Sequence, residues 1–172
     1  IKPIIGIETY VNPRGREYRQ PDIDAKNYHL VLLAKDNRGL KNLFKISSEA
    51  WITGLYYKPR VDYSLLSQYH EGIIASSACI GGEVAKTLIQ FGYERAKAVA
   101  LKYMDIFDGN FFLELQDHGI GDERIVANQL IRMSSETGIP LVAANDAHYT
   151  YKDSWKSHDV LMAVQSKTTI DD

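Results

Sequence analysis

Short apolar runs alternate with longer amphipathic stretches along the 172 residues of this chain. Five runs read as strands, at residues 4–9, 28–33, 72–76, 110–115 and 141–144. Each is bounded by turn residues or charge and is nearly all apolar, the pattern of strands covered on both faces. Between them, apolar residues recur at i, i+3 and i+4, which predicts helices with one buried face. Asp36 caps a helix running through Leu40, Leu43, Phe44 and Ile46 to about Trp51. Asp62 caps a short one with Leu65 and Leu66. Residues 81–91 put Val84, Leu88 and Ile89 on one face, and residues 93–107 do the same with Ala96, Val99, Ala100, Tyr103 and Met104. Residues 122–137 carry Ile125, Leu130, Ile131 and Met133, and a last helix covers 154–164. Residues 10–25, with Arg14, Arg16, Arg19 and Pro21, read as a flexible polar loop with no assigned role.

Strands alternating with helices predict parallel strands joined by right-handed crossovers, in an open doubly wound sheet or part of a barrel. No GxGxxG or GxxxxGK stretch is present, which weighs against a nucleotide-binding sheet. In either architecture chemistry gathers at the C-terminal ends of the strands. The first run carries Glu8, the second opens on His29, and the third leads to Cys79. The fourth contains Glu114 and runs into Gln116, Asp117 and His118, and the fifth stops at Asn145-Asp146 with His148 two residues on. Carboxylate, imidazole and one thiolate suit Zn²⁺, with Mn²⁺ or Fe²⁺ where carboxylates dominate.

Each residue also has an ordinary reading. Asn145-Asp146 can be a turn after a strand. Cys79 can be a small buried apolar residue, and His29, His148 and His118 can be histidines bonded within the fold. Glu8 inside an apolar run is harder to dismiss, because a buried carboxylate is costly unless paired or coordinated. No spacing is as diagnostic as CxxC or HExxH, so metal site and plain structure both stand on chemistry alone.

The composition narrows the classes. A formal net charge of −2 argues against a protein that coats DNA phosphates. One cysteine excludes an internal disulfide and fits a reducing compartment. No apolar stretch approaches the roughly 20 residues of a membrane span. The chain opens without Met and ends without a terminating element, and it reads as a piece of a longer protein.

The strings IIGIETYV, YHLVLLAKDNRGLKNLFKISSEA, YYKPRVD, SSACIGGEV, FFLELQDHG and IPLVAANDAHY follow one another in this order. Together they resemble the PHP (polymerase and histidinol phosphatase) domain of bacterial DNA polymerase III alpha subunits, from Ile4 to about Ser166. The resemblance implies an α/β fold, a distorted (β/α)7 TIM-like barrel with mostly parallel strands, here lacking its N-terminal strands. It implies a PHP domain over residues 1–166 and a connection toward the polymerase palm over 167–172. It implies a metal cluster held by Glu8, His29, Cys79, Asp146 and His148. The family's His-x-His motif is absent, and the resemblance places it before Ile1. Lys58 and Arg60 are candidates for holding a phosphate, and Glu114 and His118 for lining the cleft.

The function implied is metal-dependent phosphoester hydrolysis of the 3′–5′ exonuclease kind within a replicative polymerase. The alternatives are a metal-stabilised scaffold that docks a separate proofreading exonuclease, or a free-standing phosphomonoesterase. The resemblance further implies Zn²⁺ as cofactor (Mn²⁺ or Fe²⁺ as substitutes) and Mg²⁺ at a polymerase site outside this chain. Implied partners are primer-template DNA, a proofreading subunit and the sliding clamp, in the bacterial cytoplasm and not at a membrane.

Overall fold

A computed structural model describes residues 1–170; of the expected connection at 167–172, Asp171 and Asp172 lie outside the described residues. In chain order the elements are β1 (Gly6–Val11), α1 (Pro21–Asp24), β2 (Tyr28–Ala34), α2 (Asn37–Ile52), β3 (Leu55–Tyr56), β4 (Lys58–Val61), α3 (Tyr63–Gln68) and β5 (Ile73–Ser76). There follow α4 (Glu83–Phe91), α5 (Tyr93–Ile106), β6 (Phe111–Leu115), α6 (Gly121–Thr137), β7 (Leu141–Ala143) and α7 (Trp155–Ser166). Both aspartate caps form: Asp36 accepts from the amide of Gly39 and Asp62 from that of Leu65. A side-chain acceptor there satisfies a backbone donor that the first helical turn leaves open.

The strands form one sheet in the order β3-β4-β1-β2-β5-β6-β7. β1 pairs antiparallel with β2, β2 antiparallel with β5, and β3 antiparallel with β4; the remaining neighbours are parallel. Most of the strands therefore share one direction, and β2 and the short β3 oppose it. The sheet is mostly parallel, as expected, but the expected crossover fails between β1 and β2. The segment joining them holds only the four-residue α1 and folds over the end of β4 instead of crossing a sheet face, so β2 returns antiparallel beside β1.

Coverage on both faces is also corrected. Val11, Leu30, Leu32, Ile73, Ala75, Phe111 and Leu113 point one way into a single core shared with α2 to α6. The alternate residues Val31, Leu33, Ile74, Phe112 and Val142 line an open hollow of about 330 Å³ on the other face. The helical stripes are narrower than the periodicity predicts, since Phe44, Ile89, Ile125 and Ile131 are exposed. At the joint of α3, α4 and α5, the buried Glu83 carboxylate accepts from the hydroxyls of Tyr63 and Tyr103. Burial pushes the Glu83 carboxyl above its usual range. Among the described residues no helix is long and apolar enough to cross a membrane.

The segment after β1 is not a free loop. The Arg16 guanidinium grips Asp62 at 3.0 Å, and Asn12 donates to the buried Asp24 at 3.2 Å. These bonds fold the segment over the end of β4.

Candidate metal centre

Glu8, His29, Cys79, Asp146 and His148 line one cleft of about 510 Å³. The reversed direction of β2 explains how His29 reaches it. His29 stands at the start of its strand, and the antiparallel register sets it opposite Tyr10, near the end of β1. Glu8 lies opposite Val31, so Glu8 and His29 are diagonal neighbours on one face, within reach of long side chains. Glu8 Oε1 lies 2.8 Å from His29 Nδ1.

Cys79 arrives from the loop after β5. Ala78 turns the backbone with a left-handed φ of 59°, and the Gly82 amide donates to the Cys79 carbonyl at 2.8 Å. The His29 amide donates to the Gly81 carbonyl, which fastens this loop to the start of β2. Cys79 Sγ then lies 3.5 Å from His29 Nδ1 and accepts from the Gly81 amide at 3.3 Å. A Cβ on Gly81 would lie 3.1 Å from that ring nitrogen and 3.3 Å from the sulfur, so glycine keeps the corner open.

Sulfur and carboxylate thus converge on a single proton. Cys79 first and Glu8 second push the His29 imidazole up to about 10. The same bond holds the Glu8 carboxyl below its ordinary value. A tetrahedral Zn²⁺ with bonds of about 2.0–2.3 Å sets its donors roughly 3.3–3.7 Å apart. The sulfur–nitrogen separation matches this, and the carboxylate–nitrogen one is shorter. The donors close on the ring nitrogen and not around a common point, so an ion entering here must spread them slightly. Accordingly, among the described residues no three His, Cys, Asp or Glu side chains form a ready coordination group. In donor type and in the Gly81 corner, the residues fit a divalent ion.

Asp146 and His148 follow β7, whose ladder extends to a bond from the Ala144 amide to the Leu115 carbonyl. Asp146 holds a left-handed φ of 45°, a conformation costing a non-glycine residue about 1 kcal/mol or more. His148 Nδ1 donates to the Asp146 carbonyl at 2.6 Å. That bond places a proton on Nδ1, so Nε2 is the nitrogen a metal ion would use.

The other candidates separate. Arg60 is corrected as a phosphate holder. It is fully buried, and its guanidinium donates to the carbonyls of Gly54, Asp24 and Arg16. Lys58 is exposed, its Nζ 5.4 Å above the ring of Tyr10, which meets His29 edge-on. Glu114 does not line the cleft; it is buried at the open-face hollow and accepts from Ser76 Oγ and from Gln116 Nε2. His118 lines the cleft, with Nδ1 2.7 Å from Glu123 Oε1 and Nε2 2.8 Å from the Asn145 carbonyl. Chiefly through Glu123, its pKa is raised.

Of two further polar residues lining the cleft, Glu123 escaped the sequence reading and Gln116 stood there without a role. Glu123 is a buried carboxylate in the first turn of α6, and its place five residues after His118 was the available signal. Gln116 lies on the same strand face as Glu114, one alternation further on. Its buried Oε1 meets no donor among the described residues, and the bond from Nε2 to Glu114 fixes which way the amide points.

A carboxylate, an imidazole and a cysteine sulfur thus share one cleft at the end of a mixed sheet. Residues 1–118 match the PHP domain family, and the chain belongs to it. Its relatives along the whole chain are DNA polymerase III alpha subunits. That of Borreliella burgdorferi is 42% identical over 95% of this chain and 14% of its own length. That of Deinococcus radiodurans is 42% identical over all of this chain and 13% of its own length. That of Treponema pallidum is 43% identical over 97% of this chain and 14% of its own length. The chain therefore spans about one seventh of the relatives it matches.

Proposed function

We propose that this chain is the PHP domain of a bacterial DNA polymerase III alpha subunit, that its sheet is part of a TIM-like barrel, and that its cleft is a metal-dependent phosphoesterase site acting on DNA 3′ ends during replication. The observation that carries this reading is the cleft itself. All five candidate ligands line it, and three meet at His29 Nδ1.

Glu8, His29, Cys79, Asp146 and His148 would hold the ions, Zn²⁺ by donor type with Mn²⁺ or Fe²⁺ as substitutes. Divalent ions in such a site polarise a phosphoester and lower the pKa of water. The residues themselves do the rest. Glu8 and Cys79 draw the proton onto His29, so that metal entry releases it. The Gly81 amide donates to the sulfur and holds it in the corner beside His29. Lys58, exposed near Tyr10, is the cation available to an approaching phosphate. The polymerase reaction and its Mg²⁺ belong to the remainder of the protein. Primer-template DNA, a proofreading subunit and the sliding clamp are the partners this reading brings, in the cytoplasm.

The scaffold alternative has one observation in its favour: the donors are not drawn into a ready coordination group. The two readings part in the full-length protein. Metal analysis and shortening of a 3′-labelled primer are measured for wild type and Asp146→Asn. Bound ions with primer shortening that the substitution abolishes favour the nuclease. Bound ions without shortening leave the scaffold.

A further inference from the structure

We infer that His118 is a positioning residue for the ligand loop: its ring ties Glu123, on the first turn of α6, to the carbonyl of Asn145 and so sets Asp146 and His148 into the cleft. This rests on the metal reading of the cleft proposed above.

The loop needs such a tie. β7 is three residues long, each of them exposed, and among the described residues it pairs with β6 alone. Beyond the bond from Ala144, His118 Nε2 to the Asn145 carbonyl is the only hydrogen bond from another element that reaches residues 145–150 among the described residues. It grips the peptide that joins Asn145 to Asp146, the residue held in the left-handed region.

The other end of the tie is anchored firmly. Glu123 is 4% exposed, and both its oxygens are engaged by His118: Oε2 accepts from the backbone amide and Oε1 from Nδ1, each at 2.7 Å. Nδ1 therefore carries a proton. Nε2 faces a carbonyl oxygen, which accepts only, so Nε2 carries one too. The ring is a doubly donating cation between a buried carboxylate and a backbone oxygen. None of the five candidate ligands takes part, so His118 acts on an ion through the loop and not by touching it.

The two nitrogens can be separated by substitution. Glutamine places its amide nitrogen where Nε2 stands, and asparagine places its own where Nδ1 stands. In the full-length protein, His118→Gln keeps the bond to Asn145, and His118→Asn keeps only the bond to Glu123. Two measurements are made on each: Zn²⁺ affinity by competition with a chromophoric chelator, and amide hydrogen exchange of residues 145–149 without metal. His118→Asn is expected to weaken Zn²⁺ binding about tenfold or more, the usual loss when an outer partner of a ligand is removed. It should also speed exchange in the loop. His118→Gln should stay within about threefold of wild type in affinity and leave exchange nearly unchanged. Equal losses in the two variants, or unchanged exchange in both, would overturn the tie. A wild type that binds no Zn²⁺ at all, with exchange still faster only in His118→Asn, would overturn the metal reading and leave the loop anchor standing.

Discussion

At the scale of single residues, charge is placed by what surrounds it more than by sequence neighbourhood. Arg60 reads as a phosphate holder in YYKPR, yet its guanidinium joins three carbonyls from three segments. Arg60→Met should lower stability by about 3 kcal/mol, since buried acceptors are left without donors. A urea unfolding curve shifted by less than a third of that would refute the assignment. His29 makes a second prediction. Its folded pKa of about 10 exceeds the ordinary 6.5. In the metal-free protein its contribution to stability is therefore complete below pH 6.5 and is lost as the pH rises through about 10. On the metal reading a bound ion would displace that proton, so Zn²⁺ affinity should rise with pH across this window. Calorimetry in buffers of different ionisation enthalpy should find about one proton released per ion near pH 8. No release would contradict the shared-proton arrangement. Which ligand types to look for was legible in the sequence, because Glu8 and His29 interrupt apolar runs. The partners of Arg60 and His118 were not, because Arg60 meets backbone carbonyls, which every residue carries, and Glu123 looks like any surface acid until the chain is folded around it.

At the scale of elements, the helices were read nearly where they stand, since caps and periodicity are local. The two-residue β3 and β4 were missed, as Pro59 and the charges of Lys58 and Arg60 hide any alternation. The direction of β2 was missed because pairing direction is set by what the connection can span, not by the strand itself. Close contact between elements is equally silent in the sequence. A Cβ on Gly39 of α2 would lie 1.8 Å from the Gly72 carbonyl, in the turn before β5. Gly39→Ala should therefore destabilise by about 1–3 kcal/mol or more, seen as a lower urea midpoint; a neutral substitution would show that α2 can move away. Between α5 and α6, Lys97, Arg132 and Tyr93 gather on Glu136 and hold its carboxyl at about 2. A lowered carboxylate pKa contributes stability above about pH 4.5 that is lost as the pH falls toward 2. Because the cluster is exposed, added salt should weaken it. Glu136→Gln should flatten the acid limb of the melting temperature against pH. An unchanged limb would show that the cluster contributes nothing.

At the scale of the molecule, the core is one-sided. Leu113 is fully buried beneath the helices, and Leu113→Ala should lose about 2–5 kcal/mol. α7 has no buried residue, and Leu161 is 62% exposed. Leu161→Ser should change stability by no more than about 0.5 kcal/mol. Chemical denaturation of the two variants tests the contrast, and similar losses would mean that α7 is part of the core after all. The open face, which Glu8 and His29 share with Val31 and Leu33, follows from the same asymmetry, with apolar residues on both sides of the strands but helices on one.

The antiparallel pairing of β1 with β2 has a consequence in time. Glu8 and His29 belong to one local hairpin, whereas Asp146 and His148 come more than a hundred residues later. At roughly 5–20 residues per second of synthesis, the first pair is finished many seconds before the second exists. On the metal reading proposed above, an ion met during that interval would find only Glu8 and His29 of these four, and their full coordination would wait on the last strand.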